Sequence, residues 1–283
     1  MRAWKVVGLV ASAGIAAYAT AAWYGGRRWE AGTRELRARL EDARQPVTPG
    51  VVDFDTLTDL PVPVQRYFRA VLQDGQPMVT RVHLRHQGTF NMGETTPRWT
   101  SFTSDQLVIA RRPGFDWDAR IAMLPGLTIH VHDAYAAGEG VLRAALLGLV
   151  TVVDLRGTPD INAGELMRFL AEAPWYPTAL LPGQGVRWAP VDDRSARATL
   201  TDGSITVTME FGFSDDGLIE TVRAEARGRT VGGETEPTPW QGRFWNYQDV
   251  QGIRMPFDGE VAWLLPDGPY PYWRGHITDV TWE

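Results

Sequence analysis

"TDGSITVTMEFGFSDDG", residues 201–217, reads as a strand held between two turns. Ile205, Val207, Met209, Phe211 and Phe213 fall on one side of an extended chain, opposite Thr206, Thr208 and Glu210. "TDGS" (201–204) and "SDDG" (214–217) are hairpin signals, because their glycines admit the positive φ that a tight turn needs. Further along, Met255, Phe257, Val261 and Trp263 repeat the same alternation. Upstream, 79–92, 99–110, 114–123 and 127–135 also carry a period of two. Helical patterns interrupt this series twice. In 60–75, Val64, Tyr67, Phe68, Val71 and Leu72 form one stripe, with Pro63 in the first turn and Gly75 as C-terminal cap. In 162–173, Leu166, Phe169, Leu170 and Ala173 do the same, with Asn162 and Glu165 as a capping box and Arg168–Glu172 as an i,i+4 pair. Residues 141–154 are apolar without a clear period and receive no assignment. Roughly ten to twelve antiparallel strands with two covering helices make an α+β fold with one curved sheet.

The chain of 283 residues has ample material for a core, and it contains no cysteine. Disulfides, thiolate metal sites and a cysteine nucleophile are therefore excluded. Net charge is −6, but residues 1–49 hold eight basic and four acidic side chains while the rest is strongly acidic. An acidic main domain argues against nucleic acid, whose phosphates need a basic surface. The basic N-terminal part suits anionic lipid headgroups, so membrane lipids are the expected partners.

Between Lys5 and Arg27 lie 21 uncharged residues, flanked by Trp4, Trp23 and Tyr24. That length and those rings predict a single-pass transmembrane anchor over residues 1–27. A cleaved signal peptide is the alternative, since "ATA" at 19–21 resembles a cleavage site. Basic residues after the segment place the main domain in the cytoplasm, whereas the short basic leader followed by an apolar stretch is an export pattern; the expectation carried forward is an extracytoplasmic domain. Residues 28–50 read as a charged helical stalk ending in the linker "QPVTPG", and 51–283 as the β-rich domain.

"GFDWDARI" (114–121) sets Phe115, Trp117, Ala119 and Ile121 on one strand face and Asp116, Asp118 and Arg120 on the other. Two carboxylates at that spacing lie roughly 6–7 Å apart, which admits a hydrolase reading. Arg120 beside them would keep a neighbouring aspartate ionised and spoil it as an acid, so a structural ion-pair face on a wet strand is expected. His130 and His132 have a spacing metals use, but no second ligand cluster accompanies them, and they read as solvent-face histidines with no metal. No phosphate-binding glycine loop, Gly-x-Ser-x-Gly or His-Glu-x-x-His occurs, so no cofactor is implied. "EAPWYPTALLP" (172–182) places Trp175 and Tyr176 in an irregular helix exit that can form the lip of an apolar pocket. Trp117, Trp175, Phe211, Met255 and Trp263 are the candidate lining of a site for an apolar small molecule. The expected role is membrane-anchored, non-catalytic binding of a lipid or acyl chain. An envelope hydrolase using Asp116/Asp118 or His130/His132 is the first alternative, and a protein-interaction module covering exposed aromatics is the second.

As a set, "PGFDWDARI", "HDAYAAGEG", "AEAPWYPTALLP", "PTPWQG" and "PYWRG" resemble a membrane-associated bacterial family of unknown function, over residues from about 60 to 283. The resemblance implies N-terminal membrane segments and brings no catalytic residues. The element order is also similar to the lipoprotein-carrier fold of the lipoprotein-localisation system, which implies a half-open antiparallel barrel whose helices plug an apolar cavity. The apparent membrane helix departs from those carriers, which are free or lipid-anchored.

Overall fold

The computed structural model describes residues 2–93 and 96–283, with side chains from residue 12 onward. Helix α1 (Arg2–Ala43) and helix α2 (Val62–Val71) precede the first strand. Strands β1 (Arg81–Asn91), β2 (Trp99–Ile109), β3 (Gly114–Leu124), β4 (Leu127–Ala136), β5 (Glu139–Leu146) and β6 (Val150–Arg156) follow as a meander. Helix α3 (Pro159–Ala171) and three short 3-10 turns lead to the second meander. It comprises β7 (Arg187–Asp192), β8 (Ser195–Asp202), β9 (Ile205–Phe213), β10 (Ile219–Val231), β11 (Glu234–Val250), β12 (Ile253–Leu265) and β13 (Gly268–Trp282).

The described residues form a single antiparallel sheet in the order β6-β5-β4-β3-β2-β1-β13-β12-β11-β10-β9-β8-β7. β1 and β13 pair in the middle, so the two meanders are wings of one sheet. β6 and β7 are its edges, so the sheet is open rather than a closed barrel. The link between those edges has to cross a face, and α3 does so while touching both β5 and β9. Those strands are nine spacings apart, about 43 Å on a flat sheet at about 4.8 Å each. A helix about 10–12 Å across can touch both only if the sheet curls strongly around it. Leu166, Phe169 and Leu170 of α3 and Val64, Tyr67 and Phe68 of α2 are buried on this inner face, in one core with Phe211, Phe213 and Met255.

α1 corrects the membrane expectation. No helix among the described residues is long and apolar enough to cross a membrane. Absence of charge is not apolarity: 11 of the 21 residues between Lys5 and Arg27 are alanine or glycine, whose side chains offer little to hydrocarbon. Trp4 lies outside the described side chains. From Tyr18, whose hydroxyl donates to the Gly126 carbonyl, the helix runs along the outer face of the sheet. At Gly25 it passes so close to the β5–β6 turn that a Cβ would meet the Leu147 carbonyl oxygen at 2.0 Å. Trp29, Leu36 and Leu40 are buried, the two leucines against Leu107, Ile109, Ala134, Ala136 and Val141. The segment expected to stand as a stalk is thus the docked half of α1. The single-pass anchor, and the extracytoplasmic placement built on it, have no support here.

Local readings also change. Residues 141–154, without a visible period, supply β5 and the outermost strand β6, whose Val150, Val152 and Leu155 are exposed. α3 starts earlier than its capping box implied: Thr158 caps it by accepting from Ile161 N, and Asn162 accepts from Gly140 N at 2.7 Å. Tyr272 and Trp273, adjacent and so expected on opposite faces, border the same space. The register slips between Val261 and Ala262, which pair with Trp273 and Pro271. Tyr272 is the extra residue of that bulge, and a bulge re-aims a side chain.

Candidate functional site

Between α3 and the inner sheet face lies a cavity of about 300 Å³. Trp117 on β3, Trp240 and Phe244 on β11, Trp263 on β12, and Tyr272 and Trp273 on β13 are its aromatic lining from the sheet. Trp175, in the 3-10 turn after α3, closes one end and meets Phe244 edge-on at 5.8 Å. The floor depends on glycines in register: Gly259 pairs with Gly275, and Gly275 with Gly88. The Trp273 ring lies over Gly275 and Gly259, and a Cβ on Gly275 would fall 2.2 Å from its Cη2. Trp263 stacks on Tyr272 at 5.5 Å, and Trp240 Nε1 donates to the Tyr272 hydroxyl at 2.8 Å.

One side of this aromatic space is ionic. Arg168 of α3 donates to Asp133 on β4 and, at 2.6 Å, to Oε1 of Glu172, whose Oε2 accepts from Gln106 at 2.7 Å. Its guanidinium lies 4.9 Å from the Trp117 ring centre and 5.0 Å from that of Phe115. Burial alone would lower the pKa of Arg168; Glu172, Asp133 and Glu165 reverse that and keep it charged. Glu165, one turn earlier, is buried beside Asp133. Burial first, and the Asp133 charge second, push its carboxyl well above the usual range, while Arg227 and Arg168 pull the other way without offsetting them. Glu165 and Asp133 share a carboxyl–carboxyl hydrogen bond, while Trp117 Nε1 and Trp175 Nε1 have no hydrogen-bond partner among the described residues. All four residues border the cavity.

Of the five lining candidates taken from the sequence, Trp117, Trp175 and Trp263 meet at this cavity. Phe211 and Met255 are fully buried elsewhere in the core, Phe211 against Trp188 at 5.2 Å. Their apolar faces were legible, but not that α2 packs against β8 and β12 and covers this wing. Glu165, Arg168 and Asp133 were missed as site residues. The available signal was a Glu and an Arg three apart beside the buried positions Leu166 and Phe169, where charge is costly without partners.

Asp116, Asp118 and the two histidines form a different structure, on the outer face under α1. Asp116 is 0% exposed, accepting from Arg37 Nε and pairing with His132 Nδ1, each at 2.8 Å. Asp118 accepts from Trp29 Nε1 and Thr33 Oγ1, both at 2.9 Å, and from Arg120. Burial alone would raise the Asp118 pKa; its bond and charge pairing with Arg120 hold it below the ordinary value. Trp29 stacks on His132 at 4.5 Å and meets His130 edge-on at 5.5 Å. The histidines are therefore not on a solvent face, and burial, then Arg120, lowers His130 to about 4. Asp116, paired with Arg37 and His132, and Asp118, paired with Arg120, are buried structural pairs and not a catalytic dyad, because α1 covers the face a substrate would need. Among the described residues no group of three or more His, Asp or Glu can hold a metal ion, and the chain has no cysteine.

The chain belongs to a family of unknown function, DUF6920, whose profile matches residues 58–282. The motif resemblance carried membrane segments with it, and that part is overturned by the docked α1. No curated protein matches the chain. Solved structures similar to it include a LolA-superfamily protein from Nitrosomonas europaea, at 11% identity over 88% of this chain and 93% of that one, with a TM-score of 0.38. A DUF1329-family protein from Desulfovibrio piger is 12% identical over 84% and 94%, with a TM-score of 0.41. A β-barrel-like DUF1849 protein from Brucella abortus is 12% identical over 73% and 99%, with a TM-score of 0.21. At these scores the likenesses carry no argument about function.

Proposed function

We propose that this protein binds an apolar small molecule in the cavity between α3 and the inner sheet face. The observation that carries the reading is the aromatic wall around a partly open cavity of about 300 Å³. Large rings left facing such a space mark a surface that an apolar ligand can cover. It lies at the small end of ligand pockets, which start at about 300 Å³, so a single short chain or ring system suits it better than a bulky lipid. The rings gain contact area and lose exposed apolar surface when the space is filled, at about 25 cal/mol per Å².

Full-length protein should bind a short-chain fluorescent apolar probe with a change in tryptophan emission, and native mass spectrometry should reveal any ligand retained from cells. Trp175→Ala and Trp263→Ala should each weaken probe binding about tenfold, as removing a wall ring costs about 1–2 kcal/mol of contact. Asp118→Asn, on the outer face, should leave it unchanged. Folded protein that binds no apolar probe would sink this reading.

A further inference from the structure

We propose that the occupant of this cavity is an apolar amine, its nitrogen held between the carboxyls of Glu165 and Asp133 and the faces of the tryptophan rings. This rests on the cavity being a binding site. Asp133, Glu165 and Glu172 are three carboxyls gathered around one guanidinium, and Arg168 gives its hydrogen bonds to only two of them, Asp133 and Glu172. Glu165 is 6% exposed and borders the cavity, and beyond a proton shared with Asp133 its carboxyl has no cation hydrogen-bonded to it. With Arg227, which also acts on Glu165, two guanidinium charges face these three carboxyls, so one positive charge is missing on the cavity side. Without an amine, a proton on Glu165 shared with Asp133 supplies it, which fits the raised Glu165 carboxyl. An ammonium N–H group supplies it better, because it can donate to both carboxyls at once.

The walls suit a cation as well. Ring faces are negative, and a cation within about 6 Å of a ring centre is attracted. The structure already uses this: Arg168 lies over Trp117, Arg227 over Trp240 at 5.1 Å, and Arg229 over Trp263 at 6.0 Å. The free Nε1–H groups of Trp117 and Trp175 add two donors, matched by a hydroxyl or ether oxygen on the same molecule.

Octylamine, octanol and octanoate separate the possibilities in isothermal titration of the full-length protein, since they share one apolar chain. Octylamine is expected to bind at least tenfold tighter than the other two, and Glu165→Gln to reduce that preference to about twofold. Equal binding of all three would overturn the amine while leaving the apolar cavity intact. Tightest binding by octanoate would overturn it in favour of Arg227 as an anion partner. Failure of all three to bind would overturn both readings together. Should Glu165→Gln not fold, octylamine itself tests the unsubstituted protein, because it is an N–H-bearing cation at pH 7 and must expel the Glu165 proton. Its binding heat should differ between phosphate and Tris buffers by the heat of close to one proton; Asp133 from β4, Arg227 from β10 and Arg168 are the charges facing that site. Binding without proton release would overturn the proposal.

Discussion

Replacing Asp116 by asparagine tests whether α1 belongs to the folded unit. A carboxylate on a wet strand face would lose about 0–1 kcal/mol in such a change. Asp116 instead has no exposed surface and uses one oxygen for Arg37 and the other for His132, both at 2.8 Å. Asparagine keeps one acceptor and turns an NH₂ group towards the second donor. One charge-assisted hydrogen bond is lost, at about 1.5–3 kcal/mol, and a buried donor is left unpaired, at about 1–3 kcal/mol. Arg37 recovers part of this through Asp105, which it also contacts at 2.8 Å. The net cost should be about 3 kcal/mol, near the low end for breaking a buried pair. Calorimetry should then show Tm falling by about 6–12 °C, taking about 2–4 °C per kcal/mol for a protein of this size. Trypsin should cut α1 faster at the exposed Arg27, Arg28 or Arg34, because cleavage needs the docked helix to open locally. Adding Arg37→Met to Asp116→Asn should cost less than the two separate losses combined. A Tm shift below about 2 °C, with trypsin cutting α1 no faster, would refute the reasoning.

Stability should fall with acid well before the carboxylates titrate. Burial, then Arg168, lowers His86 to about 3, and burial, then Arg120, lowers His130 to about 4, from 6.5. Between about pH 6.5 and 4.5 the unfolded chain binds two histidine protons that the fold refuses, while buried Glu165 keeps one that the unfolded chain releases; the net is about one proton, so Tm should fall through that window, and a flat profile there would contradict neutral buried histidines. Gly275→Ala should push the Trp273 ring into the cavity, lowering Tm and weakening apolar probes about tenfold, since overpacking costs about 1–3 kcal/mol. Unchanged affinity would show that Trp273 is not the floor. Tyr176→Phe removes a buried hydroxyl that donates to the Phe169 carbonyl at 2.7 Å, and urea titration should show a loss of about 1–2 kcal/mol.

The parts of this protein that can be read from residues are those whose cause is local. Alternation in 205–213, the glycine turns around it and the apolar stripes of α2 and α3 depend on neighbours a few positions away, and they specify an antiparallel sheet with helices on one face. Trp117 and Trp263 stand out as rings on alternating strands and Trp175 as a ring in an irregular helix exit. What α1 does was not recognisable, because an uncharged helix looks the same whether it packs against lipid or against protein. Its docking rests on Arg37 meeting Asp116, 79 positions away, and Trp29 meeting Asp118, 89 positions away. The same holds for the cavity. Which part of the inner face is filled by α2 and which is left hollow beneath α3 depends on how far the sheet curls and where its bulges fall, as Tyr272 illustrates. The sequence alone determines which side chains must leave water, through periods of two and 3.6. Only the tertiary structure decides which of them find protein on the other side and which find open space, because that depends on contacts between segments the chain brings together only when it folds.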